Sequence, residues 1–222
     1  MAYFDINAVV QSLQEARLAW RQAQRRAVEP GGTEFPSRAA LGEIVNSLKG
    51  VLFPMRLGPP DLRQESENFH VAHALDAALH ALLKQIRIEL KYSAGLSGAT
   101  DSDVSGDALN ATRAFAAALP GIRVLLDSDV LAAYQGDPAA RSVDEVLLCY
   151  PGVLAMIHHR LAHRLYELEL PLLARIVAEL AHGETGIDIH PGATIGGNVW
   201  ITDDVPPGAS VTQASLQNRP CP

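Results

Sequence analysis

Apolar positions recur at three- and four-residue steps through the first four-fifths of the chain, which predicts a succession of helices. Ile6, Val9, Val10, Leu13, Ala16 and Trp20 follow Asp5, a side chain suited to an N-cap, and Glu29-Pro30-Gly31-Gly32 closes that run. A second helix starts at Pro36-Ser37 and carries Leu41, Ile44, Val45, Leu48 and Leu52 as far as Pro54. The longest periodic run is 66–91, with Leu75, Leu79, Leu82, Leu83, Ile86 and Leu90 on one stripe. His73, Asp76, His80, Lys84, Arg87 and Lys91 make a polar row on the same helix. Its His and Asp have metal-ligand spacing, but three cations continue the row and would repel a metal, so it reads as a solvated face. Residues 93–106 read as a Ser/Gly/Asp loop. A helix over 107–119 is expected to stop at Pro120-Gly121, and a further one to stop near Tyr134, before Gly136-Asp137-Pro138. Helices over 151–168 and 171–182 begin at Pro151 and Pro171, where a missing N–H costs nothing.

At Gly186 the period changes to six. Ile187, Ala193, Val199, Val205 and Val211 form one row, and Ile189, Ile195 and Ile201 a second, with Gly192, Gly196 and Gly208 between them. This is the pattern of a hexapeptide repeat, in which each unit supplies a short strand and a turn of a parallel β-helix. Residues 187–211 hold about four such units, little more than one coil. A single coil has no stacked neighbours to cover its edges.

Composition narrows the partners. The chain has 222 residues, 48% of them hydrophobic and 19% charged, and a formal net charge of −7 from 18 Lys+Arg and 25 Asp+Glu. Without a dense basic run it is not expected to bind nucleic acid. No apolar stretch reaches membrane-spanning length, and Met1–Asn7 lacks a basic start with an apolar core. Cys149 and Cys221 are too few for a disulfide framework, which suggests a reducing cytoplasm.

Several segments together resemble the bacterial serine O-acetyltransferases, a family of hexapeptide-repeat acyltransferases. They are Gly136-Asp-Pro-Ala-Ala140, Tyr150-Pro-Gly-Val-Leu-Ala155, Arg160-Leu-Ala-His163, Ala181-His182 and Thr185-Gly-Ile-Asp-Ile-His-Pro-Gly-Ala193. Gly196-Gly-Asn-Val-Trp-Ile-Thr202 and Val205-Pro-Pro-Gly208 are similar to the family's last coil. The resemblance implies a mainly α N-terminal domain, here 1–184, and a truncated left-handed parallel β-helix, here 185–212, with a tail over 213–222. It implies trimers, or hexamers paired through the helical domains. The implied reaction moves acetyl from acetyl-CoA, a co-substrate and not a resident cofactor, to the L-serine hydroxyl for cysteine biosynthesis. The tail Asn218-Arg-Pro-Cys-Pro222 lacks the terminal Ile by which family members bind O-acetylserine sulfhydrylase, so that partner is not expected.

Serine's hydroxyl needs a base to take its proton as it attacks the thioester. The resemblance makes Asp188 the residue that orients the family's catalytic His, and Asp137 the serine-binding carboxylate. Each also has a local role open to it: Asp188 as a turn residue, Asp137 as a turn-former before Pro138. The chain passes from Ile195-Gly196 directly into Gly197-Asn-Val-Trp, in phase with the repeat, so the segments bearing the catalytic His and the acyl-CoA groove have no counterpart. Three other groups have residue types suited to chemistry. Asp188 and His190 share a strand face, as a dyad or as two exterior polar residues. His159, His163 and Glu167 lie one helical turn apart, as metal ligands or as a packed or surface row; no metal site is assigned. His182 is expected to close the last helix. The alternative to an enzyme is a non-catalytic oligomerisation or regulatory protein built on the helical domain.

Overall fold

In the computed structural model, residues 4–24, 35–97, 103–202 and 204–211 are described; the 213–222 tail and the Glu29–Gly32 break lie outside them. The chain forms two compact units that divide between residues 34 and 35. The first contains α1 (Ile6–Ala23), whose N-cap Asp5 accepts the Ala8 N–H at 3.0 Å.

The second unit carries everything else. Its helices are α2 (Arg38–Leu52), α3 (Pro54–Leu57), α4 (Glu67–Ser97), α5 (Val104–Gly136), α6 (Val143–Cys149), α7 (Pro151–Glu167) and α8 (Pro171–Thr185). α2 packs on α4 and α8, α5 on α4 and α7, and α7 most extensively on α8. Ser37 caps α2 as its position before the periodic run predicts. α7 is buried nearly all round, so His158, His159 and Arg160 lie inside beside Met156, Ile157 and Leu161.

Three local expectations are corrected. α5 runs unbroken through Pro120, because Phe115, Leu119, Ile122 and Leu126 on both sides of it are buried and Pro120 itself faces outward. Packing of a long apolar face outweighs the roughly 3 kcal/mol that an interior proline costs. α4 continues past residue 91 to Ser97, into the stretch expected to be a loop. α6, not expected at all, is started by Ser142, whose Oγ accepts the Glu145 N–H at 3.0 Å while Glu145 accepts the Arg141 N–H at 2.8 Å. α8 ends at Gly186, which takes a φ of 74° that a Cβ would disfavour.

Beyond Gly186 the chain makes one parallel turn. β1 (Thr194–Ile195) pairs with β2 (Ser210–Val211), and Ile189 bridges Val205 in the same sense. Val205 N–H donates to Asp188 O, and His190 N–H to Val205 O. Ile187, Ile189, Ala193, Ile195, Val199, Ile201 and Val205 are all buried, as the six-residue rows require. The register differs from a pure six-residue count. Each pair is sixteen residues apart, two fewer than three hexapeptides. Val205 and Val211 therefore stand over Ile189 and Ile195 and not in the Ile187 row. The slip falls between Ile195 and Val205.

Candidate functional site

Asp137 sits just beyond the C-terminus of α5, where the chain turns into Pro138. Its Oδ1 accepts the Ala139 N–H at 2.9 Å and its Oδ2 accepts the Tyr150 hydroxyl at 2.5 Å. The Tyr150 hydroxyl and the Ala139 N–H hold the Asp137 carboxyl below the usual carboxylate range. The same bond, with desolvation, pushes Tyr150 up to about 12, so it remains a donor at neutral pH. Among the described residues no Lys, Arg or His forms an ion pair with Asp137. The carboxylate is thus ionised, part-exposed and held by two hydrogen bonds from its own chain.

Beneath it lies a buried ion pair. Arg160 donates from Nε to Asp129 Oδ2 at 2.6 Å and from Nη2 to Oδ1 at 2.9 Å. Both residues are nearly inaccessible. Burial pushes the Asp129 carboxyl up, and the guanidinium and the Val199 N–H pull against it. The remaining donors and acceptors go to the coil. Arg160 reaches the carbonyls of Ile195 and Gly196 at 3.3 and 2.7 Å, and Asp129 Oδ1 accepts the Val199 N–H at 3.2 Å. Ser128 Oγ accepts the Asn198 N–H at 2.8 Å, where Asn198 takes a φ of 59°. The pair is a clamp from α5 and α7 onto the Ile195–Val199 corner. Sequence reasoning missed Asp129 entirely and met Arg160 as the first residue of the Arg160–His163 motif. The available signal was two opposite charges on apolar helices, with nothing to say that they meet.

The histidines gather around Pro191. His163 Nδ1 donates to Pro191 O at 2.7 Å, and its Nε2 lies 3.5 Å from Glu167, which also accepts from Arg164 at 3.1 Å. His159 stacks on His163 with centroids 5.6 Å apart, and its Nδ1 is buried without a partner. Burial, with the His163, Arg160 and His190 charges, pushes His159 down to about 3. His190 Nδ1 accepts the Gly192 N–H at 3.0 Å, which places the proton of the neutral ring on Nε2, beside Tyr166. Asp188 donates its N–H to Asp204 at 2.8 Å, and its Oδ1 is buried without a partner. Among the described residues no hydrogen bond joins Asp188 to His190 or to the Asp137 group, and no three His, Cys, Asp or Glu side chains converge on a metal position. His182 stands in the last turn of α8, near Glu179. On α4, His80 and Asp76 pair at 3.4 Å in solvent.

A helical body that runs into a six-residue-period parallel turn, with an ionised carboxylate at their junction, defines the class of protein. Comparison supplies the relatives within it. No protein-family model matches the chain. A plasmid-encoded serine acetyltransferase of Synechococcus elongatus is 54% identical over 170 residues, 75% of this chain and 53% of that protein. The serine acetyltransferase of Mycobacterium tuberculosis is 53% identical over 73 residues, 33% of this chain and 32% of that one. Serine acetyltransferase 1 of Entamoeba histolytica, crystallised with L-cysteine, superposes with a TM-score of 0.58 at 31% identity, over 70% of this chain and 52% of that one. By sequence and by structure the chain is homologous to the serine acetyltransferases. It spans about half the length of the Synechococcus elongatus relative and about a third of the Mycobacterium tuberculosis one.

Proposed function

We propose that this chain is a serine O-acetyltransferase reduced to its serine-recognising portion. In the parent reaction the L-serine hydroxyl oxygen attacks the thioester carbonyl of acetyl-CoA. A base removes the hydroxyl proton, the C–S bond breaks, and O-acetyl-L-serine and protonated CoA leave. Asp137 holds the serine ammonium, and the observation that carries this is its ionised carboxylate, fixed by Tyr150 and Ala139 and free of any cation among the described residues. Asp188 keeps the position of the His-orienting carboxylate. The six-residue rows favour a remnant of a left-handed β-helix over 185–212, following the helical domain 1–184 and preceding the 213–222 tail. A cytoplasmic homo-oligomer, trimer or hexamer, fits the family.

His190 uses its Nδ1 lone pair on Gly192 and His159 is buried and held neutral, while His163 donates from Nδ1 to Pro191 and keeps its Nε2 beside Glu167. Among the described residues no histidine is hydrogen-bonded to Asp188. That favours a second reading, a non-catalytic regulatory or oligomerisation protein on the same body. General-base assistance is worth about 10²–10⁴ in rate, and a missing CoA groove removes positioning as well. Thiol release with L-serine and acetyl-CoA separates the readings. We expect turnover at least about a hundredfold below a full-length relative. Turnover equal to a full-length relative would reject the reduced-enzyme reading.

A further inference from the structure

The residue before Asp137 has a neighbour that the helical domain does not supply. Trp200, from the coil, lies with its six-membered ring against Gly136, the residue immediately before Asp137. A Cβ at Gly136 would stand 2.9 Å from Trp200 Cε3 and 3.2 Å from Cζ3, so only glycine admits the indole here. Gly152 does the same service one residue further along the coil. The Ile201 carbonyl approaches so closely that any Cβ at 152 would collide with it, and Trp200 Cδ1 is 3.7 Å from that position. The Tyr150 and Trp200 rings are 6.4 Å apart between centroids and inclined by 39°. The Asp129–Arg160 clamp fixes the corner just before, at Val199. Trp200 is thus seated by two glycines and one buried ion pair, half-buried, beside the ring whose hydroxyl grips Asp137.

We propose that Trp200, together with Tyr150, is the aromatic wall of the Asp137 ammonium site, and that the coil thereby sets the affinity and selectivity of this chain for small amines and amino acids. The inference rests on the reading of Asp137 given above. A carboxylate supplies charge, and an aromatic face supplies a quadrupole that favours a cation over a neutral group of equal size. Tyr150 is occupied at its hydroxyl, and its half-buried ring stands beside Trp200. The ligand class is a compact primary ammonium compound: L-serine or ethanolamine, without any acyl donor.

Titration calorimetry on the full chain tests it, with L-serine and ethanolamine as the probes. Both bind, and Asp137→Asn abolishes binding of both. Trp200→Leu weakens both about three- to thirtyfold, the range of a cation–π contact from exposed to desolvated. Trp200→Phe, which keeps a ring face, stays within about threefold of the parent chain. Gly136→Ala, which displaces the indole without altering it, weakens binding as Trp200→Leu does. If the parent chain binds neither probe, or Asp137→Asn binds as the parent does, the reading of Asp137 fails and this inference falls with it. If Asp137→Asn abolishes binding but Trp200→Leu leaves it unchanged, only the Trp200 inference is overturned. Equal weakening by Phe and Leu also overturns it, since a merely structural indole would not discriminate between them.

Discussion

The helical body and the coil bury their apolar residues in different ways. In the body, each helix finds partners among the other helices: Leu41, Leu48, Leu82, Ile86, Phe115 and Leu161 meet in one continuous cluster. Those contacts are mostly side chain on side chain. In the coil the inner residues from Ile187 to Val205 are as well buried and join the same cluster, while one two-residue parallel ladder and one bridge are its strand pairing among the described residues. What holds the corner of the coil comes from the body: Arg160, Asp129 and Ser128, each pointed at a main-chain group between Ile195 and Val199. One region is stabilised by area, which tolerates local change. The other contributes its inner rows to that area and adds a few polar contacts at one corner, where a buried polar group without its partner is costly.

The largest break in this comparison is expected from Asp129→Ala. Truncation leaves the buried Arg160 guanidinium without its counter-ion, and breaking such a pair costs about 3–5 kcal/mol. Urea unfolding should show the loss, and hydrogen exchange should place it. Amides from Ile189 to Val205 should lose protection first, while those from Leu79 to Ile86 remain slow. Replacing both partners together by apolar residues, Asp129→Leu with Arg160→Met, should recover most of the global stability. It should not recover protection at Val199, whose N–H has lost its acceptor.

Acid should act next, through the seam where α7 meets Pro191. His159 is held down to about 3 in the folded chain, against about 6.5 when unfolded. The unfolded state therefore binds the proton first. The stabilising contribution is complete above pH 6.5 and is lost as pH falls towards 3, by about 1.4 kcal/mol per pH unit. At pH 5 that is about 2 kcal/mol. His158, also lowered by burial, acts in the same direction. Stability measured by urea titration from pH 8 to 5 should therefore fall, and His159→Leu should remove about one proton from the slope. An unchanged slope in that variant would show that the ring is hydrated and that the seam opens more readily than its burial indicates.

Gly152→Ala should cost less, about 1–3 kcal/mol, the usual penalty for overpacking. The added methyl collides with the Ile201 carbonyl, and the side that yields is informative. If the coil is the weaker partner, Trp200 moves off Gly136 and its fluorescence shifts in a Trp20→Phe background, while helical circular dichroism stays constant. Loss of helical signal in step with fluorescence would show that body and coil give way together.

This division tracks how much of the molecule could be read from the chain. α2, α7 and α8 were legible because a three- and four-residue period ran between a capping Ser37, or a first-turn proline, and a breaker. α5 was misread at Pro120-Gly121, since a local breaker says nothing about the packing on either side of it. α6 is too short for a period, though its Ser142-x-x-Glu145 start was there to be seen. The coil's inner rows were legible, whereas its sixteen-residue register was not, because the row spacing up to Ile201 does not reveal where the chain comes back over Ile189 and Ile195. At the site, Asp137 came from resemblance. Tyr150 and Trp200 both lay within the motifs quoted for it, but their meeting at Gly136 depends on where the coil returns, which no local pattern encodes.

The smallest expected effect is the sharpest control, because it loads the body alone. Glu89 on α4 is almost fully buried, and its two carboxylate oxygens accept the N–H groups of Leu172 and Leu173 at 2.8 and 2.9 Å. The N-cap of α8 is Leu170, which has no side chain able to do this, so a residue eighty positions upstream caps the helix from outside. Burial raises the Glu89 carboxyl, and the two N–H groups oppose that rise. Glu89→Gln keeps one oxygen acceptor and replaces the other by a donor. The cost should be about 1 kcal/mol, that of a lost cap, or roughly a fivefold acceleration of exchange for amides from Leu79 to Ile86. If the coil opens locally and at lower free energy than the body, amides from Ile189 to Val205 should exchange at their parent rates. If they accelerate by the same factor, the coil opens only when the body does, and the two regions form one cooperative unit.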